Sequence, residues 1–561
     1  LIPLVRLKPE QYNIALYEQQ VYKRLQGIYM KAVLAFTPCA SPTYIPLGIA
    51  SLSAFIKANI PQCHLNVVDL NIATWNRLID QNTESRDFRD FMQGRLKNFY
   101  DETQYRIHLD AWKQLVDRYD HYLRLARLYL EKDSLSAELQ QLLDYHRGLV
   151  MANEPELVGF SITYPRQVLI SLALAKFLHS ALSERIRPVI ILGGAMMSAL
   201  YGEEILAVCP FVDAIFEGEG ESGLGMLCEK QDFSEIPGVI YRGTTSILRN
   251  RNIDTITLTK VPLPDFSELD LTCYLNPEPV IPVVFSRGCK WRKCRFCAHN
   301  FSYSGYRRHN TVRFVEYLFQ LNQQIGARHF YFADQYIEAA DMKILSEEIL
   351  SRGLKIFFHL MGRPMNDYTD EVLQLLFRAG CRWISWGIES GSQRLLDVCR
   401  KGTSVETIRT VINDSHQAGI SNLLMFIFGL PTSKEVDFNA TSELINDLED
   451  TIDDIKSSCF QLFDKTAFAA QAQNFGLKIT GHEILLSNER GTIHSNRLCY
   501  KEKSADGTTR PPQGQIELAQ WQRRRLWTGQ HSIFQSLFCE HYLLYAAHQS
   551  EFCSARLAMS S

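Results

Sequence analysis

Three cysteines, Cys289, Cys294 and Cys297, fall within one nine-residue stretch of the string SRGCKWRKCRFCAHN. Their spacing is C-x4-C-x2-C, directly after the apolar run Ile281–Phe285. Three thiolates on one short loop, with no fourth cysteine nearby, suit an iron–sulfur cluster that leaves one iron open to a ligand. Gly288 before the first cysteine allows a sharp turn, and Phe296 sets an aromatic ring beside the last. The same loop suits a zinc ion with His299 as fourth ligand. On the loop alone both chemistries stay open.

More polar residues follow at the ends of apolar runs. Asp334 and Gln335 end HFYFAD, Arg363 follows KIFFHL, Glu389 and Ser390 follow RWISWGI, and Gly429 follows NLLMFIF. A guanidinium can donate two parallel hydrogen bonds to one carboxylate. A carboxylate at a strand end can accept from a pair of hydroxyls. Taken singly each has an ordinary reading: Asp334 as a helix cap, Glu389 as a solvated carboxylate, Gly429-Leu430-Pro431 as a turn.

The elements that must hold these residues form two α/β series. In the first, KAVLAF, HLNVVDLN, LVGFSIT, PVIILGG and VDAIFEGEGE read as strands separated by helices, which implies a doubly wound parallel sheet over residues 31–232. Residues 72–150 interrupt it as a helical insertion, with Leu115, Tyr119, Tyr122, Leu123, Leu125, Ala126 and Tyr129 at helical spacing. Residues 1–30 precede the series as an extension. The proline-punctuated stretch 233–280 reads as a connector with short hairpins. The second series, 281–464, has strands at IPVVFS, HFYFAD, KIFFHL, RWISWGI, NLLMFIF and SCFQLF. Thr403 and Glu406 have capping-box spacing, and Gly419 ends that helix. Six units predict a partial (β/α)6 barrel with ligands at the C-terminal strand ends. Residues 465–561 read as a small α+β domain.

The cysteine triad and the strand-end residues, in this order, resemble the radical SAM enzymes, whose usual spacing is C-x3-C-x2-C; this loop has one extra residue. The resemblance implies a [4Fe-4S] cluster on Cys289, Cys294 and Cys297. It implies S-adenosylmethionine (SAM) bound by Phe296, Asp334, Gln335, Arg363, Glu389, Ser390 and Gly429. The string Gly387-Ile388-Glu389-Ser390-Gly391-Ser392 is similar to the ribose-contacting motif of the cobalamin-dependent and methylthiotransferase branches. In that family a glutamate often stands where this chain has Ser433. The first series resembles the cobalamin-binding domain of one large branch, through Pro46-Leu47-Gly48, Val67-Val68-Asp69, Gly159-Phe160-Ser161, Leu192-Gly193-Gly194 and Glu217-Gly218-Glu219-Gly220-Glu221. Cobalamin is then expected at Gly48, Ser161, Gly193, Gly194, Gly218, Glu219 and Gly220. The D-x-H-x-x-G motif of other cobalamin proteins is missing. Asp144-Tyr145-His146-Arg147-Gly148 is one residue short, and His146 reads as an ordinary surface or packing histidine.

What the resemblance implies is a methyltransferase acting on an unactivated carbon of a small metabolite or peptide, with flavodoxin or ferredoxin as electron donor. Radical rearrangement, cyclisation or oxidation without methyl transfer uses the same motifs. A cobalamin- or redox-responsive binding protein is the reading from another class. The composition agrees with a globular protein: 561 residues, 46% hydrophobic, 22% charged, net charge −3. That charge gives no reason to expect a nucleic-acid partner. No run approaches the ~18 apolar residues of a membrane span. The opening string LIPLVRLKPEQYNIALYEQQ carries charges where a secretion signal needs an apolar segment, and fourteen cysteines without such a signal suggest a reducing, cytoplasmic setting. Cys39, Cys63, Cys209, Cys381 and Cys399 fall in apolar contexts and read as core residues.

Overall fold

A computed structural model describes residues 30–560 apart from 82, 183–186, 252–254, 302, 304, 504–507 and 528–537. The extension 1–30 lies outside the described residues except for Met30. Two compact units emerge. One contains residues 30–90, Asp110–Leu275 and Glu483–Asn496; the other contains Phe91–Leu109, Asn276–His482 and 497–560.

The first unit is built on strands β1 (Met30–Phe36), β2 (Cys63–Asp69), β3 (Leu157–Ser161), β4 (Val189–Gly193), β5 (Ala214–Phe216), β6 (Val239–Arg242) and β7 (Ile247–Arg249). Their order is β2-β1-β3-β4-β5-β6-β7, the first five parallel and the last two antiparallel. Strand β3 is buried at all five positions, as expected of an inner parallel strand covered on both faces. The hairpin β6–β7 extends this sheet, and the chain beyond it stays with the unit: Asp265 N–H donates to Ala50 O at 3.2 Å and Leu275 N–H to Pro42 O at 3.1 Å. The stretch read as a connector is therefore packed structure as far as Leu275.

The insertion is helical, with helices Leu70–Asp80, Thr83–Met92, Glu102–Lys132 and Ala137–Val150. It does not belong to one unit throughout. Phe91–Leu109 groups with the second unit because its aromatic side chains have partners there. Tyr105 Oη and His541 Nδ1 are 2.8 Å apart, and the Phe99 ring lies 5.6 Å from that of Tyr545. His146 is fully buried in the insertion, with Nε2 2.8 Å from Thr74 Oγ1, and burial pushes its pKa down to about 3. It is a packing histidine, held neutral.

The second unit contains β8 (Val280–Val283), β9 (Ser286–Arg287), β10 (Arg307–Arg308), β11 (His329–Phe332), β12 (Phe357–Gly362), β13 (Cys381–Glu389), β14 (Ser421–Phe428), β15 (Asp454–Cys459), β16 (Leu462–Phe463) and the parts of β17 (Leu477–Asn488) and β18 (Gly491–Lys503) outside Glu483–Asn496. Strands β8, β11, β12, β13, β14 and β15 form one all-parallel sheet in chain order, with helices between successive strands. Five of the expected strands fall where their strings stand. The sixth is Asp454–Cys459 instead of SCFQLF, because Leu462 and Phe463 pair antiparallel with Leu498 and Arg497. The expected cap also moves by one residue. Ser404 accepts from Thr407 N–H, while Thr403 Oγ1 donates to Pro364 O.

The residues after 464 do not make a compact unit of their own; Glu483–Asn496 groups with the first unit and the remainder with the second. The last helix, Cys539–Ser560, packs Tyr542, Leu543, Leu544 and Ala547 on Val280, Phe357, Trp383 and Leu423 of the parallel sheet. The five cysteines expected in the core are buried, and the thirteen described cysteines carry free thiols. Among the described residues no helix is long and apolar enough to cross a membrane.

Candidate cluster and ligand site

Strands β9 and β10 pair antiparallel, Ser286 with Arg308 and Arg287 with Arg307, and so close the cysteine loop at its base. The closure needs Gly288. Its φ is +84°, and a Cβ there would lie 2.2 Å from the Gly305 carbonyl oxygen. Asp334, at the end of β11, secures the entry to the loop. Its buried carboxylate accepts from Phe285 N–H at 3.0 Å, Ser286 N–H at 2.5 Å and Ser286 Oγ at 2.6 Å. Burial raises its pKa to about 7 against these donors.

The far side of the loop is tied to the end of helix Gln393–Cys399, whose last carbonyls have no partner within the helix. Arg295 Nη1 donates to Val398 O at 2.6 Å, Arg295 N–H to Cys399 O at 2.9 Å, and Trp291 Nε1 to Arg400 O at 2.9 Å. The loop thus caps the helix while the helix holds the loop. Cys289, Cys294 and Cys297 are each half-buried. Burial pushes the Cys294 thiol up to about 11, with the Lys401 cation acting against it. Among the described residues, no three His, Cys, Asp or Glu side chains converge closely enough to hold a single metal ion. Cluster thiolates bind separate irons and need not meet at one point. Phe296 is half-buried and packs on the apolar group containing Leu395, Cys399 and Phe468.

Beyond β11 and β12 lie two polar groups with unused capacity. Arg363 is 9% exposed, and its Nε and Nη1 are buried without an acceptor. Its Nη2 contacts Met365 Sδ at 3.2 Å. Gln335 Oε1 is buried without a donor. Leaving buried polar atoms unpaired costs about 1–3 kcal/mol each, so such atoms point to a missing partner. Unused guanidinium N–H donors and a free amide oxygen at neighbouring strand ends suit the carboxylate and ammonium of an amino acid. That is the end SAM would present. Of the expected pair at the β11 end, Gln335 is available and Asp334 is committed to the loop entry.

At the end of β13 the register with β14 slips between Gly387 and Glu389, and Glu389 takes a left-handed φ of +69°. This turns its carboxylate onto Lys401, with Oε1 2.7 Å from Nζ and both side chains buried. A Cβ on Gly387 would meet Lys401 Nζ at 2.9 Å and Glu389 Oε1 at 3.0 Å, so the ion pair lies on that glycine. Ser390 is committed to the turn. Its Oγ accepts from Ser392 N–H and lies 3.2 Å from Thr441 Oγ1. Gly429 N–H donates to Glu517 Oε2 at 2.7 Å, and Glu517 Oε1 accepts from Ser433 Oγ at 3.0 Å. A carboxylate from helix Gly514–Trp527 thus serves the turn that Ser433 leaves without one.

Sequence reasoning missed Lys401, Trp291, Tyr336 and Glu517. Lys401 and Trp291 sit in polar strings without periodicity, and Glu517 lies 88 residues from the glycine it serves. Only the two local residues had any signal: Lys401 stands between the helix-ending Arg400 and Gly402, and Trp291 is a large ring inside a cysteine loop.

In the first unit, the small residues singled out line the C-terminal strand ends. Ser161 and Gly193 are in register at the ends of β3 and β4, and a Cβ on Gly48 would sit 3.5 Å from Ser161 Oγ. Gly193 has room, the nearest atom to its would-be Cβ being Phe216 Cβ at 3.9 Å. Gly194 has none: its φ is +98° and a Cβ would lie 2.5 Å from Ile162 O. Gly218 has φ +84°, and Glu219 precedes helix Gly220–Cys228. In a sheet of this order the crevice for a ligand opens where the strand order reverses, beside β1 and β3. The bare backbone at these ends suits a broad, flat ligand such as a corrin.

Residues 283–445 match the Radical SAM superfamily. The chain is 24% identical to an uncharacterized methyltransferase of Pyrococcus horikoshii, over 46% of this chain and 58% of the relative. It is 26% identical to the anaerobic magnesium-protoporphyrin IX monomethyl ester cyclase of Rubrivivax gelatinosus, over 56% of this chain and 58% of the relative. Both alignments span less than two thirds of the relative's length. The fold is similar to that of the cobalamin-dependent S-adenosylmethionine radical enzyme OxsB, solved with aqua-cobalamin and S-adenosylmethionine bound. The TM-score is 0.60 at 16% identity, covering 90% of this chain and 68% of that one. It is also similar to the radical S-adenosylmethionine methyltransferase TsrM of Kitasatospora setae, solved with cobalamin and a [4Fe-4S] cluster, with TM-score 0.54 at 16% identity, covering 80% and 77%. Residues 283–445 are thus a radical SAM domain, within a chain that has the fold of the cobalamin-dependent radical SAM enzymes.

Proposed function

We propose that this chain is a cobalamin-dependent radical SAM methyltransferase acting on carbon in a small molecule or peptide. The observation that carries the proposal is the unsatisfied pair Arg363 and Gln335, at adjacent strand ends of the same sheet that leads into the cysteine loop. When bound, the cluster would supply the electron that cleaves SAM, and cobalamin the methyl group to be transferred.

The chain's own residues bind and orient. Cys289, Cys294 and Cys297 would hold the cluster. Arg363 would take the carboxylate of SAM and Gln335 its ammonium, so the amino-acid end is held in one orientation. Glu389, held by Lys401, accepts from the ribose, with Phe296, Ser390 and Gly429 shaping the same wall. Asp334 acts one step back, by holding the loop entry. The six-stranded sheet acts as a partial (β/α)6 barrel, and Gly48, Ser161, Gly193, Gly194, Gly218, Glu219 and Gly220 border the corrin. Cytoplasmic residence with flavodoxin or ferredoxin as reductant accords with the free thiols.

The test is anaerobic turnover with SAM, a reductant and candidate substrates. S-adenosylhomocysteine and 5′-deoxyadenosine appear together if a methyl group is transferred. 5′-Deoxyadenosine alone means radical chemistry of another kind, and neither product means a binding protein. The cobalamin part has its own check. Gly193→Trp places an indole in the open crevice, so hydroxocobalamin retained in equilibrium dialysis should drop by at least about tenfold while iron content stays constant. Gly194 is the wrong position for this probe, since any side chain there strikes the Ile162 backbone. Undiminished cobalamin binding by Gly193→Trp removes the crevice from the proposal.

A further inference from the structure

The cysteine loop has four residues between Cys289 and Cys294, and one of them, Trp291, reaches to the turn at Arg400 and Gly402. Its indole N–H donates to Arg400 O at 2.9 Å. Gly402 has φ +77°, and a Cβ there would lie 2.2 Å from the ring, so the indole rests on backbone that only glycine leaves bare. Two cations lie over the ring: Arg363, with Cζ 4.3 Å from the centroid, and Lys293, with Nζ at 4.6 Å. Tyr336 offers Arg363 a second ring at 5.5 Å.

The manner of holding matters. A guanidinium fixed by a protein carboxylate spends its N–H donors on that carboxylate. One held against aromatic faces keeps them, because the attraction is to the ring quadrupole. Arg363 is of the second kind, with Nε and Nη1 both unused.

We propose that Trp291 is a positioning residue for the amino-acid end of the ligand: its ring holds Arg363 in place with N–H donors left unused for a carboxylate, and its own N–H anchors the ring to the turn at Arg400. The inference rests on the reading of Arg363 as the carboxylate partner of SAM.

Two variants isolate the ring. Trp291→Phe and Trp291→Leu both lose the indole N–H and have similar bulk, but only phenylalanine keeps a π face. With clusters reconstituted to equal iron content, Trp291→Phe should bind SAM within about threefold of the wild-type protein, and Trp291→Leu about tenfold more weakly. 5′-Methylthioadenosine has no carboxylate, so its affinity should be the same in both variants. Equal SAM affinity for the two variants overturns the inference. So does a parallel loss of SAM and 5′-methylthioadenosine in Trp291→Leu, since that would mean a collapsed pocket. Failure of the wild-type protein to bind SAM at all sinks the proposed function itself, a result distinct from either.

Discussion

Replacing Cys289, Cys294 or Cys297 by alanine should abolish SAM cleavage and remove most of the iron, against about four irons per chain in the reconstituted wild-type protein. The fold should survive. The loop is held at its base by the β9–β10 pairing and the Asp334 carboxylate, and on its far side by Arg295 and Trp291. None of these contacts uses a thiol, and half-buried cysteines contribute little packing. Iron analysis, visible absorbance and thermal unfolding of the three variants decide it. Cys499→Ala serves as control, because that thiol is exposed and far from the loop in sequence, so iron content should not change. One tightly bound zinc per wild-type chain, with no charge-transfer absorbance, would falsify the cluster.

The second large effect is at the buried pair Glu389–Lys401. Glu389→Gln should weaken SAM binding about tenfold to a hundredfold, as hydrogen bonds to a charged acceptor are worth roughly 1.5–3 kcal/mol. Read from sequence, a strand-end glutamate carries little of the core and its loss leaves folding intact. The ion pair revises that. Removing one charge strands the other, so Glu389→Gln should also lose about 3–5 kcal/mol of stability, with Lys401→Met costing a similar amount. The double variant Glu389→Gln/Lys401→Met should recover most of the stability and none of the affinity. If it recovers SAM binding, the carboxylate is structural and the ribose assignment fails.

The pair should hold across the neutral range. Burial pulls the Lys401 ammonium down, but the Glu389 carboxylate acts against it, and its pKa ends above the ordinary lysine value. For a cation with a raised folded-state pKa, the stabilisation is complete below the unfolded value and fades as pH rises through the folded one. Stability measured between pH 6 and about 9 should therefore show no step that Glu389→Gln removes.

The chemistry was legible in short strings. The cysteine spacing, the residues closing four apolar runs, and the glycines that end β4 and follow β5 are local features, and strand-end position follows from local patterning. The parallel sheets followed from alternation of strands and helices, since parallel neighbours need a crossover. What those strings could not show is which groups each side chain meets. Asp334 and Gln335 are adjacent in sequence, yet one closes the loop entry and the other is left with a free oxygen. SCFQLF looks like one strand, and a competing antiparallel partner at Arg497 and Leu498 divides it. The insertion looks like one helical block, and the aromatic partners of Tyr105 and Phe99 on the last helix divide it too. Lys401, Trp291 and Glu517 complete the site through contacts made across 12, 72 and 88 residues of chain, with Glu389, Arg363 and Gly429 respectively. Local sequence determines backbone direction and the end of a strand, because those depend on neighbouring residues. Ion pairs, ring stacking and backbone capping depend on distance in space, and that is settled only when the chain has folded.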